Sequence, residues 1–96
     1  MIPELENATA EMERSIQMLR KSSCDGWVAE LELLLALVRG TDHYAQKEAL
    51  YRVGVICHPK ALGDNQITGT DFYGWQAQVE RLHDACAKAF NVLGSR

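Results

Sequence analysis

The chain has 96 residues, of which 47% are hydrophobic and 24% are charged, and its formal net charge at pH 7 is -3. This length and apolar content fit one globular domain over residues 1–96 and exclude an intrinsically disordered chain. The acidic balance argues against nucleic-acid binding, which relies on a surplus of Lys and Arg to neutralise phosphates. The richest apolar stretch, residues 31–38, is shorter than the roughly 20 residues of a membrane-spanning helix, so we expect no membrane contact.

The cysteines and the N-terminal sequence both favour a cytoplasmic protein. The chain has three cysteines, an odd number without CxxC spacing, which is typical of reduced thiols rather than of a disulfide framework. The sequence MIPELENATAEMERS has neither the basic segment nor the apolar core of a secretory signal peptide. We therefore expect the protein to remain in the cytoplasm.

The first half of the chain predicts two helices. The first begins at Pro3, with Ile2 as its cap, because proline suits the first helical position. Its apolar residues recur with helical spacing until the sequence KSSCDG: Leu5, Met12, Ile16 and Leu19. Asp25 is the predicted N-cap of the second helix. The second helix carries the broadest apolar stripe: Trp27, Leu31, Leu33, Leu34, Leu35, Leu37 and Val38. This width predicts the most buried helix of the domain.

The second half predicts two more helices. Gly40 ends the second helix, Thr41 is the predicted cap of the third, and the third ends near Gly54. The third helix is predicted to turn five side chains to the core: Tyr44, Lys47, Leu50, Tyr51 and Val53. Thr70 or Asp71 should cap the fourth, whose apolar residues recur at intervals of four and three: Trp75, Val79, Leu82, Cys86, Ala89 and Leu93. No segment alternates with a period of two, so the fold class is all-α, a bundle of about four helices.

Residues 57–71, CHPKALGDNQITGTD, form a long connection before the last helix. Loops of this length without secondary structure are uncommon and are usually functional or disordered. Ile56, Leu62 and Ile67 can anchor the connection to the helices, so we expect an ordered loop that either binds a partner or only covers the open end of the bundle. Polar residues beside the aromatic pair Phe72 and Tyr73 are typical of protein-binding surfaces. The candidate partner-binding residues of this region are His58, Lys60, Asp64, Asn65, Gln66, Asp71 and Tyr73.

The sequence offers little for catalysis, metal binding or DNA binding. Histidine and cysteine are metal-ligand types, but no HExxH or paired CxxC spacing occurs, so neither a metal nor another cofactor is predicted. Thiol chemistry at Cys57 would need a nearby base, and the adjacent His58 is poorly placed to be one. The tight RGTD turn permits a helix-turn-helix, yet the third helix presents few groups for reading bases. We predict no catalytic residue and no nucleic-acid partner.

Several segments together resemble small helical proteins of bacterial polymorphic or contact-dependent toxin systems, which act as immunity proteins. The likeness spans about residues 16–90 and includes IQMLRKSSCDGWVAELE, LVRGTD, LGDNQI and VERLHDACAKAF. Its main features are Trp27 in an apolar helix, the Gly40-Thr41-Asp42 step and the final helix. The resemblance implies a non-enzymatic cytoplasmic protein that binds a cognate toxin domain, for example a nuclease, and blocks its active site or substrate approach.

An acidic inhibitor is suited to rapid capture of a basic toxin by electrostatic steering. The acidic residues Asp25, Glu30 and Glu32 are therefore added to the candidate binding set. Two other functions stay open: a regulatory adaptor or phage-encoded inhibitor that also acts by protein binding, and a small enzyme that uses Cys57 or His58. The sequence also leaves open whether the chain forms a homodimer.

Overall fold

The structure is a computed structural model that describes residues 2–58 and 60–94. Over these residues the chain forms four α-helices and no β-strand: α1 (Pro3–Lys21), α2 (Asp25–Val38), α3 (His43–Ile56) and α4 (Phe72–Gly94). Each helix packs against two others, so that α1 lies against α2 and α4, and α3 lies against α2 and α4. The predicted all-α bundle of four helices is confirmed. The connection before α4 is not wholly irregular, because it contains a short 3-10 helix, Leu62–Asp64.

The helix termini agree with the sequence at the start of α1 and of α4 and differ by one or two residues at the start of α2 and at both ends of α3. Ile2 precedes α1 as predicted. The Asp71 carboxylate accepts a hydrogen bond of 2.7 Å from the backbone N–H of Gly74 and so caps α4. Asp42, rather than Thr41, caps α3, since its Oδ1 accepts from two backbone N–H groups in the first turn. Asp25 is the first residue of α2 rather than its cap, and α3 continues beyond Gly54.

The core is built from the inward faces of all four helices. The predicted stripe of α4 is confirmed, because each of its six members is buried. The predicted stripe of α2 is only half correct, since Leu33 and Leu37 are exposed. Two neighbouring helices, α1 and α3, cover the inner side of α2, and nothing in the described chain covers its outer side. One side of α2 is therefore exposed to solvent.

The predicted core face of α3 is confirmed at Leu50 and Val53 and is wrong at Tyr44 and Tyr51, so the helix is rotated in part relative to the prediction. Tyr44 and Tyr51 are exposed, and the buried residues are Gln46, Ala49, Leu50, Val53 and Ile56. The Gln46 side chain explains this rotation. Its Nε2 donates hydrogen bonds of 2.9 Å to the carbonyl of Val38 and of 2.7 Å to that of Gly40. These bonds satisfy carbonyls at the C-terminal end of α2 and place Gln46 inside.

Candidate functional site

The connection before α4 is attached to the bundle by buried side chains and by directed hydrogen bonds. Leu62 and Ile67 are buried, as the sequence predicted. The indole N–H of Trp75 donates to the Leu62 carbonyl at 2.8 Å, and Nε2 of Gln76 donates to the Gly63 carbonyl at 2.5 Å. These bonds join the 3-10 helix to the beginning of α4.

The C-terminal half of the connection is bonded to the turn between α1 and α2. The backbone N–H of Thr68 donates a hydrogen bond of 2.8 Å to Oγ of Ser22, which follows α1. Gly69 has a φ of 87°, in the left-handed region that favours glycine, and it lets the chain turn toward α4. The described part of the connection is thus bonded to the bundle at Leu62, Gly63 and Thr68.

The structure separates the predicted polar residues into two groups. Asn65 is half-buried, and its Nδ2 donates to the Leu62 carbonyl at 2.8 Å, so it stabilises the loop rather than facing outward. Asp71 is exposed, but its carboxylate caps α4. His58 lies at the surface, where its Nδ1 accepts a hydrogen bond of 3.0 Å from the backbone N–H of Lys60. The remaining predicted residues of the connection are also exposed: Lys60, Asp64 and Gln66.

An exposed aromatic pair begins α4. The Phe72 side chain is 61% exposed and that of Tyr73 is 79% exposed. Their ring centroids lie 5.7 Å apart in an edge-to-face arrangement. Gln66, Asp71 and Phe72 line one cleft of about 590 Å³ between the loop and the end of α1. We call Gln66, Asp71, Phe72 and Tyr73 the loop-exit surface.

The acidic candidates do not form one face. Asp25 and Glu30 line a second cleft, of about 560 Å³, together with Trp27 and Asn65. Glu32 instead lies in the groove between α1 and α2, where it forms an ion pair with Arg20. Glu30 is also paired, with its carboxylate 3.5 Å from Nε of Arg52. Within the described residues only Asp25 of these three carboxylates has no ion pair, so the predicted acidic face is largely neutralised.

Two of the three thiols, those of Cys57 and Cys86, are poorly suited to nucleophilic chemistry. Burial raises the pKa of the Cys57 thiol to about 12. Burial also raises the pKa of the Cys86 thiol to about 12, with smaller contributions from the nearby charges of Cys57 and Glu11. A thiol with such a pKa is protonated at neutral pH, and the thiolate is the reactive form. No group of three or more metal-ligating side chains occurs within residues 2–58 and 60–94.

Comparison with known proteins adds no relative, because no family model, no curated protein and no solved structure matches this chain. Among the helices that the structure describes, none has both the length and the apolar content to cross a bilayer.

A second exposed surface, on α3, was not predicted from the sequence. Tyr44, Tyr51 and Val55 project from it, and Tyr51 contacts Phe90 of α4 with ring centroids 6.2 Å apart. The periodic signal was present but ambiguous, because two overlapping apolar stripes occur on this helix. Residues 46, 49, 50, 53 and 56 also recur with helical spacing, and the amide of Gln46 obscured that pattern.

Proposed function

We propose that this chain is a non-enzymatic protein inhibitor of the immunity type, which binds a cognate toxin domain and blocks its active site or the approach of its substrate. The observation that carries the proposal is the exposed Phe72–Tyr73 pair in the first turn of α4, next to an anchored loop. Large aromatic side chains left in solvent beside hydrogen-bonding groups are characteristic anchors of protein interfaces.

The anchoring of the loop supports tight binding. An interface that must order a flexible segment loses part of its binding free energy to conformational entropy. Here the bonds from Trp75 and Gln76 to the 3-10 helix, and from Thr68 to Ser22, hold the aromatic pair in place before any partner arrives. A preformed surface of this kind favours a tight complex.

The charge of the molecule supports a basic partner. Because Glu30 and Glu32 are paired internally, we assign steering to the net charge of -3 rather than to one acidic face. The partner class is then a positively charged toxin domain, such as a nuclease, and the inhibitor acts in the cytoplasm of the cell that makes it. Affinity should fall with rising ionic strength, because screening shortens the range of such steering.

The test is binding of the purified chain to the product of the adjacent gene, measured by titration calorimetry. We expect the double variant Phe72→Ala/Tyr73→Ala to weaken binding by about thirtyfold or more, as for loss of an interface anchor. The matched control is Leu33→Ala, which truncates an equally exposed apolar side chain on the outer face of α2. This control should bind as the unmodified chain does.

Two results would contradict the proposal. Unchanged affinity in the aromatic double variant would remove the loop-exit surface from the interface, and substrate turnover by the purified chain would show an enzyme. Capture of a host protein instead of a toxin would favour the alternative, a regulatory adaptor or phage-encoded inhibitor that uses the same surface.

A further inference from the structure

We propose that a second copy of this chain binds to the outer face of α3, so that two molecules form an antiparallel dimer whose two-fold axis passes near Tyr51. This interface is separate from the loop-exit surface and does not depend on the proposed function.

The first observation is an apolar face without a partner in the described chain. Tyr44, Tyr51 and Val55 are 73%, 63% and 52% exposed. Their spacings of seven and four residues place them on one side of α3. We call these three residues the α3 face. Aligned apolar side chains in solvent are typical of a surface that becomes buried on association.

The second observation is a shallow apolar groove directly beside the α3 face. It has a volume of about 270 Å³ and lies between α3 and α4. Gly54 and Ala87 contribute almost no side chain to it, whereas Tyr51 and Phe90 form its raised edges. A surface that carries both a projecting tyrosine and an adjacent depression can accept the same surface of another copy.

The third observation is a charge pattern that is complementary to itself, and it identifies the occupant as a second copy. Glu48 and Arg52 lie one turn apart along one edge of the α3 face. When two identical helices pack antiparallel about a two-fold axis, each edge meets the same edge of the other copy. Glu48 of each molecule then faces Arg52 of its partner, and both contacts are attractive.

The spacing along the helix is compatible with these contacts. For an axis at Tyr51 and a rise of 1.5 Å per residue, Glu48 and the opposing Arg52 are offset by about 3 Å along the helix direction. Glu48 has no ion pair within the described residues and is free to reach across the axis. Arg52 lies 3.5 Å from the Glu30 carboxylate, and in the dimer it would share this ion pair with Glu48 of the other copy or exchange it for that contact.

The experiment is sedimentation equilibrium of the full chain over a wide concentration range. The unmodified protein should dimerise, and Glu48→Arg should weaken the dimer about tenfold or more, because the introduced arginine meets Arg52 of the other copy. Arg52→Glu should weaken it similarly. An equimolar mixture of the two variants should form a heterodimer, because opposite charges then meet at both contacts.

The control is Glu6→Arg, which makes the same charge change on α1, a helix that packs against α2 and α4. It should leave dimerisation unchanged, and circular dichroism should show native helix content in all variants. A chain that stays monomeric at hundreds of micromolar would overturn the proposal. So would a dimer that tolerates Glu48→Arg, or a variant mixture that fails to associate.

Discussion

Single buried polar residues fix how the helices of this bundle meet. Gln78, which is almost fully buried on α4, donates hydrogen bonds of 3.0 Å to the Glu11 carboxylate and of 3.1 Å to the Ser15 hydroxyl on α1. Gln46 does the same for α2 and α3. Because an unpaired amide would be costly in the core, each glutamine permits only those helix positions that satisfy it.

A glycine at the start of α4 has an equally local role. A Cβ atom added at Gly74 would lie only 2.1 Å from Oγ1 of Thr70, in the turn where Asp71 caps the helix. We expect Gly74→Ala to lower the free energy of unfolding by about 1 kcal/mol or more, since overpacking outweighs the better helix propensity of alanine. Urea denaturation followed by circular dichroism measures the change.

Two further variants make this test specific. The Thr70→Ala background removes the 2.1 Å contact and leaves a contact of 3.2 Å with Oδ1 of Asp71, so Gly74→Ala should there cost clearly less stability than in the parent. Gly26→Ala, in α2, meets no atom within 4 Å and should stabilise the protein slightly. If Gly74→Ala costs the same stability in the parent and in the Thr70→Ala background, steric contact with this hydroxyl is not the cause.

At the scale of elements, the connection before α4 contributes the side chains of Leu62 and Ile67 to the core. Leu62 is fully buried, although it lies in a 3-10 helix of three residues. Its carbonyl also accepts hydrogen bonds from Trp75 and Asn65. The buried Leu62 side chain and these two hydrogen bonds therefore pack the connection against the helices, although only three of its residues are helical.

We expect Leu62→Ala to cost about 2–4 kcal/mol of unfolding free energy, as much as a truncation inside one of the long helices. Amide exchange should also accelerate across residues 60–71 if the segment opens locally. Lys60→Ala is the matched control, because this side chain is exposed in the same segment, and it should change stability little. A loss well below 1 kcal/mol for Leu62→Ala would mean that the loop packs independently of the bundle.

At the scale of the whole molecule, the described residues form one globule. The radius of gyration is 12.7 Å, close to the value of about 12.5 Å expected for a compact domain of this length. The four helices share a single core, so we expect one cooperative unfolding transition. The raised pKa values of the Cys57 and Cys86 thiols lead us to expect that the stability of this unit depends on pH.

The unfolded chain has thiols with a pKa near 9.0, and burial raises those of Cys57 and Cys86 to about 12 in the folded protein. The unfolded state therefore loses protons first as the solution becomes alkaline. Stability should be fully present below pH 9 and should fall between pH 9 and pH 12. Thermal unfolding across this range measures the loss.

The comparison variant is Cys57→Ala/Cys86→Ala. It should be less stable than the parent at neutral pH, but the difference should shrink as the pH rises above 9. All other ionisable groups are the same in both proteins, so the difference isolates Cys57 and Cys86. A difference that stays constant up to pH 12 would show that thiol burial does not control alkaline stability.

The sequence by itself determined the number and order of the helices, the stripe of α4 and the anchors Leu62 and Ile67. These features follow from the spacing of apolar residues along the chain, which is a local property. It also narrowed the cap of α4 to Thr70 or Asp71, because capping signals are local too, and the structure shows that Asp71 is the cap.

Only the tertiary structure decided which stripe of α3 faces inward, which carboxylates are neutralised and where the exposed apolar faces lie. Gln46 enters the core because the carbonyls at the end of α2 need a donor, and Tyr51 is turned outward as a result. Glu30 and Glu32 find arginines on other helices. Such choices depend on contacts between residues distant in the chain, which periodicity along one helix does not specify.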